Sequence, residues 1–305
     1  MGTPKTAVPS IDRILRDGHE IVAVYSQPDR PSGRGNKIAF SPIKEFAIQY
    51  GLPLFQPTKI KTSEALNEFK SHKADVAVVV AYGRILPEGF LQAFPKGAIN
   101  VHFSLLPKYR GAAPVNWAIV NGETRTGVTT MQMDAGLDTG DILMQQETHI
   151  GPAETAPELM ERLSHIGAGL ISETLGKLDT LSPEPQNNDE ATFAPIMKRE
   201  DGLIDWSLSA AEITNRVRGF QPFPVAFTSY KNQKLTIWKA EPLSMFDSKG
   251  LPNGEVVEAH GDNLIVSSGG ETALSIEELQ LEGKRRMSTR DVLNGIRINA
   301  GEPLG

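Results

Sequence analysis

The chain has 305 residues, of which 39% are hydrophobic and 22% are charged, and its net charge is −6. This length is enough for two domains with cores of their own, and the composition is ordinary for a globular protein. The absence of Cys excludes disulfides, thiol nucleophiles and Cys-ligated zinc. The sequence shows neither a signal segment nor an apolar run of roughly 20 residues, so we expect a cytoplasmic protein without a membrane span.

Predicted strands and helices alternate along the first part of the chain. This alternation predicts an α/β domain with a doubly wound, mostly parallel sheet, which we assign to residues 1–180. The predicted helices are the end of a helix at 11–17, then 42–50, 114–120 and a long amphipathic helix at 156–178. The predicted strands are 20–25, 52–55, 76–81, 98–101, 127–133 and 142–149.

The composition changes at residues 181–190, which are polar and contain two prolines, as linkers do. We therefore predict a linker at 181–199 and a second domain at 200–305. That domain is predicted to contain one helix at 209–217, and its strands are short and closely spaced, as in a small β-barrel. The predicted strands are 227–229, 235–240, 254–259, 263–267 and 273–280.

The most informative segment is the run from Asn100 to Pro114, NVHFSLLPKYRGAAP. Asn100, His102 and Ser104 alternate, so at the end of a strand all three would point to one face. In open α/β sheets, the carboxyl ends of the strands form the ligand-binding edge. Isolated Asn and His residues at a strand end more often cap turns, but the ordered polar and turn residues that follow here favour a functional site.

This run resembles the signature of the 10-formyltetrahydrofolate-dependent formyltransferases. Three further segments resemble motifs of that family: 27–35 (QPDRPSGRG), 79–87 (VVAYGRILP) and 131–141 (MQMDAGLDTGD). Residues 204–206 and 221–224 look like the opening of the family's carboxyl-terminal domain. The resemblance extends from Gly2 to about Arg297, and it implies a Rossmann-like catalytic domain followed by an OB-like β-barrel that binds tRNA.

The segment at 27–35 and the second domain narrow the resemblance to the branch that formylates an aminoacylated tRNA. The implied reaction moves the formyl group of 10-formyltetrahydrofolate to the α-amino group of methionyl-initiator tRNA during translation initiation. Folate then serves as a co-substrate, and we expect no metal and a monomeric protein. Two alternatives remain open: a formyltransferase acting on an amino-sugar nucleotide, and a truncated, non-catalytic paralogue that binds folate or RNA.

Asn100 and His102 carry groups that can donate hydrogen bonds to an oxyanion, as acyl transfer requires. A carboxylate beside His102 would fix its tautomer and assist proton transfer. The spacing does not choose among Asp134, Asp138 and Asp141, because glycines make the loop conformation unpredictable. The resemblance selects Asp138.

The resemblance also assigns folate binding to the segment Ser104, Leu105, Leu106 and Pro107, whose leucines can form an apolar wall for a flat pterin. It assigns contact with the tRNA acceptor end to Arg34. For an acidic chain, any RNA contact must come from local basic patches, although a solvated face is the better default for each patch taken alone. The candidates are Arg30 with Arg34 and Lys37, Lys198 with Arg199, and Lys284, Arg285, Arg286 and Arg290.

Residues Gly2-Thr3-Pro4 resemble the turn that follows the first strand of this family, and only Met1 precedes them. In a doubly wound sheet that strand lies in the interior, between two neighbours. We expect that the natural start lies upstream of Met1 and that the first strand is missing here. The loss of this strand would leave both neighbours unpaired and would put the activity of the chain in doubt.

Overall fold

The structure is a computed structural model that describes residues 1–32, 37–243 and 250–305. Its α-helices are α1 (Val8–Arg16), α2 (Pro42–Gln49), α3 (Ser63–Ser71), α4 (Glu88–Leu91), α5 (Pro114–Val120), α6 (Ala156–Lys177), α7 (Ala210–Gly219) and α8 (Thr289–Gly295). Its strands are β1 (Val24–Tyr25), β2 (Arg30–Ser32), β3 (Lys37–Ala39), β4 (Leu54–Phe55), β5 (Ala77–Val79), β6 (Ala98–His102), β7 (Arg110–Gly111), β8 (Arg125–Gln132), β9 (Ile142–His149), β10 (Phe193–Ala194), β11 (Phe227–Tyr230), β12 (Gln233–Pro242), β13 (Val256–His260), β14 (Asn263–Ser268), β15 (Thr272–Leu281) and β16 (Met287–Ser288).

The chain divides into two compact units that are not continuous in sequence. The first unit comprises residues 1–114, 125–149 and 160–195. The second comprises 115–124, 150–159 and 196–305. Among the described residues, no helix combines the length and the apolar character needed to cross a bilayer.

The first unit contains a four-stranded sheet in the order β5-β6-β8-β9. β5 and β6 are parallel, whereas β8 and β9 pair antiparallel, so the sheet is mixed. Ile99 and Val101 of the interior strand β6 are buried, whereas the edge strand β9 has exposed polar residues at 145–147. β1 and β4 form a separate parallel pair, and β1 is shorter than the predicted strand at 20–25.

The predicted helices at 42–50, 114–120 and 156–178 are confirmed with ends that agree within one residue, whereas α3, α4 and α8 were not predicted. Helix α2 starts where the sequence supplies a cap, because the Ser41 hydroxyl accepts the Lys44 amide at 3.1 Å and Pro42 follows it. The Thr62 hydroxyl accepts the Ala65 amide at 3.3 Å in the same way at the start of α3.

Met1 and Gly2 lie between two strands at the front of the first unit. The Gly2 amide donates to the Tyr25 carbonyl at 2.9 Å, and the Met1 carbonyl accepts the Val80 amide at 2.9 Å. The Met1 ammonium donates to the Val78 carbonyl at 2.7 Å, and burial lowers its pKa to about 5. A cavity of about 300 Å³ adjoins these residues, and its lining includes the segments 20–25 and 74–78.

The second unit is built on a six-stranded antiparallel sheet in the order β11-β12-β15-β14-β13, with β16 paired to β15. Alternation along the strands sends one set of side chains inward, so that Ile237, Leu264 and Ile276 are fully buried. Helix α7 covers this core with Ile213 and Val217, and it starts in a capping box. All five strands predicted for the second domain are confirmed.

Candidate active site

Strand β6 presents Asn100 and His102 on the same face, two residues apart. Asn100 lies opposite Val79 of β5 and Met131 of β8, and His102 lies opposite Thr129 of β8. Asn100 is partly exposed, whereas the His102 side chain is only 6% exposed. The strand therefore places an amide at an accessible position and holds the imidazole almost entirely within the protein.

Two neighbours define the chemistry of the His102 ring. Nε2 lies 3.0 Å from the Tyr109 carbonyl oxygen, and since a carbonyl only accepts, Nε2 carries a proton. Nδ1 then lies 3.8 Å from Oδ2 of Asp138. In the neutral ring Nδ1 is a hydrogen-bond acceptor beside a carboxylate, so a proton arriving at Nδ1 would be stabilised by the adjacent negative charge. The arrangement suits a group that receives a proton.

Asp138 reaches this position from the loop between β8 and β9, with a left-handed backbone conformation at φ +54°. Its Oδ2 accepts the backbone amide of Gly111 at 2.8 Å, which orients the carboxylate. The other two acids of the loop behave differently. Asp134 accepts the Gly136 amide at 3.0 Å and the Thr139 hydroxyl at 2.7 Å, as a turn-forming residue does, and Asp141 is exposed.

Asn100, His102 and Asp138 therefore lie at one sheet edge, and of the three acids in the loop it is Asp138 that reaches the imidazole. The carboxamide of Asn100 has no hydrogen-bond partner within the described ranges. An unpaired amide beside a buried imidazole fits a ligand that presents a carbonyl-type oxygen. This donor set also suits the oxyanion of a tetrahedral intermediate.

The segment from Ser104 to Pro107 is braced by the protein itself. The Thr129 hydroxyl donates to the Ser104 carbonyl at 2.7 Å and accepts the Leu106 amide at 3.1 Å. Gln145 donates to the Leu106 carbonyl at 2.8 Å. The Ser104 hydroxyl donates to the Lys108 carbonyl at 2.6 Å. These bonds use the polar groups of Ser104 and Leu106, so what the segment offers a ligand is mainly its shape and the partly exposed Leu105.

The basic patches differ in what surrounds them. Arg34 lies outside the described residues. Arg286 pairs with Glu278, and Arg290 pairs with Asp262, so these two cations are locally compensated. Lys284 and Arg285 are exposed, as are Lys198 and Arg199.

Sequence reasoning did not assign a role to three groups that hold the site. They are the Tyr109 carbonyl, the Gly111 amide and the Gln186 side chain, which donates to the Asp138 carbonyl. Gly111 could have been singled out from the sequence, because it directly follows Arg110 in the run from Asn100 to Pro114. Nothing in the sequence singles out Gln186, because it lies in a polar segment with the composition of a linker.

Comparison with known proteins defines the class to which this fold and site belong. The family described as "Formyl transferase" matches residues 1–175, and "Formyl transferase, C-terminal domain" matches residues 196–297. The chain belongs to the formyltransferase family, and the predicted Rossmann-like domain with a following second domain is thereby confirmed.

Individual relatives carry a more specific name than the family does. The methionyl-tRNA formyltransferase of Alkaliphilus oremlandii is 47% identical, and that of Koribacter versatilis is 49% identical. Both alignments cover 100% of this chain, and they cover 98% and 97% of those proteins. A solved structure with a similar fold is the N-formyltransferase from Helicobacter canadensis in complex with folinic acid and dTDP-3-aminofucose. It has a TM-score of 0.69 and 22% identity, covering 90% of this chain and 96% of that one.

Proposed function

We propose that this protein transfers the formyl group of 10-formyltetrahydrofolate to the α-amino group of methionyl-initiator tRNA. The observation that carries the proposal is the placement of Asp138 3.8 Å from Nδ1 of His102, on the strand that also bears Asn100. Identities of 47% and 49% to full-length proteins named methionyl-tRNA formyltransferase support the choice of acceptor. The folinic acid bound by the Helicobacter canadensis enzyme supports a folate donor.

The amine of an aminoacyl group needs little activation, because the pKa of a free α-amino group is about 7.7–8.0. The neutral amine attacks the formyl carbon, and the formyl oxygen becomes an oxyanion. The Asn100 amide donates to that oxygen, and such a donor contributes about 3–4 kcal/mol to transition-state stabilisation. Asn100 is suited to this role because its carboxamide is not occupied by other described residues.

The attacking nitrogen becomes positively charged and must lose a proton before the intermediate collapses. Nδ1 of His102 accepts this proton, since Nε2 is committed to the Tyr109 carbonyl. The Asp138 carboxylate balances the charge of the imidazolium that forms. When the bond from the formyl carbon to folate N10 breaks, His102 delivers the proton taken from the amine to N10, so it acts first as base and then as acid.

A formylation assay with two acceptors and a control without acceptor tests the proposal. The whole chain is incubated with 10-formyltetrahydrofolate and methionyl-initiator tRNA, with a dTDP-linked amino sugar, or with neither. We expect transfer to the tRNA amine alone. Transfer to the sugar amine would instead support the amino-sugar reading. Folate binding without transfer to either acceptor would support a non-catalytic paralogue.

A variant of His102 separates catalysis from binding. We expect His102→Ala to lower kcat by about 10²–10⁴-fold, since it removes the general base, and to leave the affinity for the folate donor nearly unchanged. Steady-state kinetics and a binding titration measure the two effects. An equal loss of turnover and of folate affinity would instead assign His102 a role in binding or folding.

Arg34 is proposed to contact the acceptor end of the tRNA, where a guanidinium can clamp a phosphate or stack on a base. We expect Arg34→Ala to raise KM for methionyl-tRNA and to leave folate binding unchanged. Arg16→Ala, which removes an exposed arginine on α1, is the matched control. Unchanged tRNA kinetics in Arg34→Ala would remove this residue from the tRNA site.

The same proposal covers the organisation of the protein. Residues 1–180 would carry catalysis, 181–199 would link the two parts, and 200–305 would contact tRNA in an OB-like domain. The segment Ser104, Leu105, Leu106 and Pro107 would border the folate, with Leu105 and Pro107 as its partly exposed members. We propose that the protein acts in the cytoplasm as a monomer, which size-exclusion chromatography with light scattering tests directly.

A further inference from the structure

Gln186 is the one partly buried residue in the otherwise exposed stretch 182–190. Its amide nitrogen donates to the Asp138 carbonyl at 2.9 Å and to the Gly140 carbonyl at 2.7 Å. Its amide oxygen accepts Nε and Nη2 of Arg110 at 3.0 and 2.7 Å. Both donor hydrogens and both acceptor positions of the side chain are therefore used.

Arg110 is itself buried, with 4% exposure, and Nη2 also donates to Asn188 Oδ1 at 2.9 Å. The described residues place neutral oxygen acceptors around this guanidinium and no carboxylate ion pair. Gly111, the next residue, donates its amide to the Asp138 carboxylate. Through Arg110, Gln186 therefore connects the backbone of the Asp138 loop to the segment that orients the Asp138 side chain.

This connection matters because Asp138 has φ +54°, a left-handed conformation that Asp tolerates and that surrounding contacts help to hold. Gln186 contacts the carbonyls of Asp138 and Gly140, and the Gly111 amide contacts the Asp138 carboxylate. Loss of the first pair of bonds would allow the loop to relax and move Oδ2 away from Nδ1 of His102. A misplacement of about 1 Å can lower a rate roughly 10²-fold.

We propose that Gln186 is a positioning residue for formyl transfer, which acts through Asp138 to set the carboxylate beside His102. The proposal rests on the proposed function of the Asn100, His102 and Asp138 site. It assigns part of the segment predicted as a linker to the support of the catalytic carboxylate.

Gln186→Glu is the sharpest variant, because it has nearly the same shape and still offers oxygens to Arg110. It lacks the two N–H donors, so it places a carboxylate oxygen against the carbonyls of Asp138 and Gly140. We expect kcat to fall about 10- to 100-fold, with KM for the folate donor unchanged. Asn188→Ala is the matched control, since it removes a bond to Arg110 without touching the Asp138 loop, and we expect less than a 3-fold change.

A double-mutant cycle distinguishes positioning from a general structural role. If Gln186 acts through the Asp138 carboxylate, Gln186→Glu will have almost no further effect on kcat in an Asp138→Asn background. A full additional loss in that background would overturn the proposal, as would wild-type kcat in Gln186→Glu alone. An inactive wild-type chain would instead contradict the proposed function and not this assignment.

A readout independent of turnover completes the test. Crystal structures of the variants measure the distance between Asp138 Oδ2 and His102 Nδ1, which is 3.8 Å in the unmodified protein. We expect this distance to lengthen by about 1 Å in Gln186→Glu and to be unchanged in Asn188→Ala. Gln186→Met, which removes all four hydrogen bonds at similar volume, replaces Gln186→Glu if thermal melting shows that the latter is unfolded. An unchanged distance in a folded variant of Gln186 would contradict the proposal.

Discussion

The edge of the sheet around His102 and the six-stranded sheet of the second unit are stabilised in different ways. At the site, hydrogen bonds join polar groups that are distant in sequence. Gly111 binds Asp138, which lies 27 residues further along the chain, and Arg110 binds Gln186, which lies 76 residues further along. In the second sheet, three pairs of neighbouring strands (β11 with β12, β13 with β14 and β14 with β15) are also consecutive in sequence and joined by short turns, whereas β12 pairs with the more distant β15. Buried apolar side chains such as Leu264 and Ile276 fill its core.

Non-glycine residues with positive φ occur in both regions, but in the second sheet Lys231, Asn232 and Glu271 lie in the turns between strands. Tyr109, Gly111 and Asp138 all have positive φ at the site, and two of the three are not glycine. Such conformations cost free energy and persist where surrounding contacts determine them. We expect function where backbone strain is tolerated in order to orient polar groups. We expect most of the free energy of folding to come from the region where the local sequence pattern and the structure agree.

The largest effect is expected at the carboxylate. Asp138→Asn keeps the size of the side chain and tolerates positive φ, but it removes the charge that balances an imidazolium. We expect kcat to fall about 10²–10⁴-fold with the melting temperature nearly unchanged. Asp134→Asn is the control in the same loop, because Asp134 contacts only turn groups. Comparable losses in the two variants would show that loop structure, and not the charge beside His102, sets the rate.

In the second unit, we expect a core substitution to lower stability and to leave turnover unchanged. Ile276→Ala removes a fully buried side chain from β15 and should cost about 2–5 kcal/mol in the free energy of unfolding. Urea denaturation of the whole chain measures this cost, and kcat should be unchanged where the protein remains folded. Ser275→Ala, on the outward side of the same strand, is the control. A large loss of kcat in folded Ile276→Ala would show that the two regions do not divide function and stability as described.

An intermediate effect is expected at Gly111, which has φ +126° and where an added Cβ would lie 2.5 Å from the Ala194 carbonyl oxygen. Gly111→Ala should introduce strain of about 1–3 kcal/mol and lower kcat by displacing the amide that orients Asp138. Gly169→Ala in α6 is the control, since nothing lies within 4 Å of its added Cβ. That change should stabilise the helix by about 0.5–1 kcal/mol. Wild-type kcat in Gly111→Ala would contradict the role of this amide.

The smallest effect concerns Glu302 in the second unit. The Tyr230 hydroxyl and the Asn299 amide donate to its carboxylate at 2.6 and 3.1 Å, and together with Lys231 they lower its pKa to about 2. The folded state therefore favours the ionised form, whose contribution to stability is present above pH 4.5 and is lost as the pH falls towards 2.

Glu302→Gln should melt slightly below wild type at pH 7, and the difference should disappear between about pH 4.5 and pH 2. Thermal melting followed by circular dichroism across this range measures it. Glu200→Gln, which removes an exposed acid of the same unit, is the control for the loss of one surface charge. A difference that persists at pH 2 would assign the effect to packing rather than to charge.

The two regions also differ in how far their structure could be predicted. The strands of the second unit follow from apolar alternation between turn residues, and every predicted strand there is present. The helices α2, α5 and α6 were predicted from capping residues and apolar periodicity. Helices α3 and α8 were missed, although Thr62 and Ser288 cap them. Strand β1 is shorter than predicted, because Val24 and Tyr25 are the residues of that run that find a partner strand.

At the site, the sequence placed Asn100 and His102 on one strand face, because the period of two is a local property of an extended chain. Spacing alone left Asp134, Asp138 and Asp141 equivalent. The structure shows Asp138 beside His102, which the backbone conformation of the loop decides.

The sequence by itself determined the family, the α/β and β-rich parts of the chain and the alternating polar residues on β6, since each rests on local pattern or on quoted motifs. Only the tertiary structure shows that the Tyr109 carbonyl selects the His102 tautomer with its proton on Nε2. It also decides how the Gly111 amide and the Gln186 side chain bind Asp138. Those contacts join residues distant in sequence through backbone groups, which are the same chemical groups in every residue. Their position is fixed only when the chain has folded.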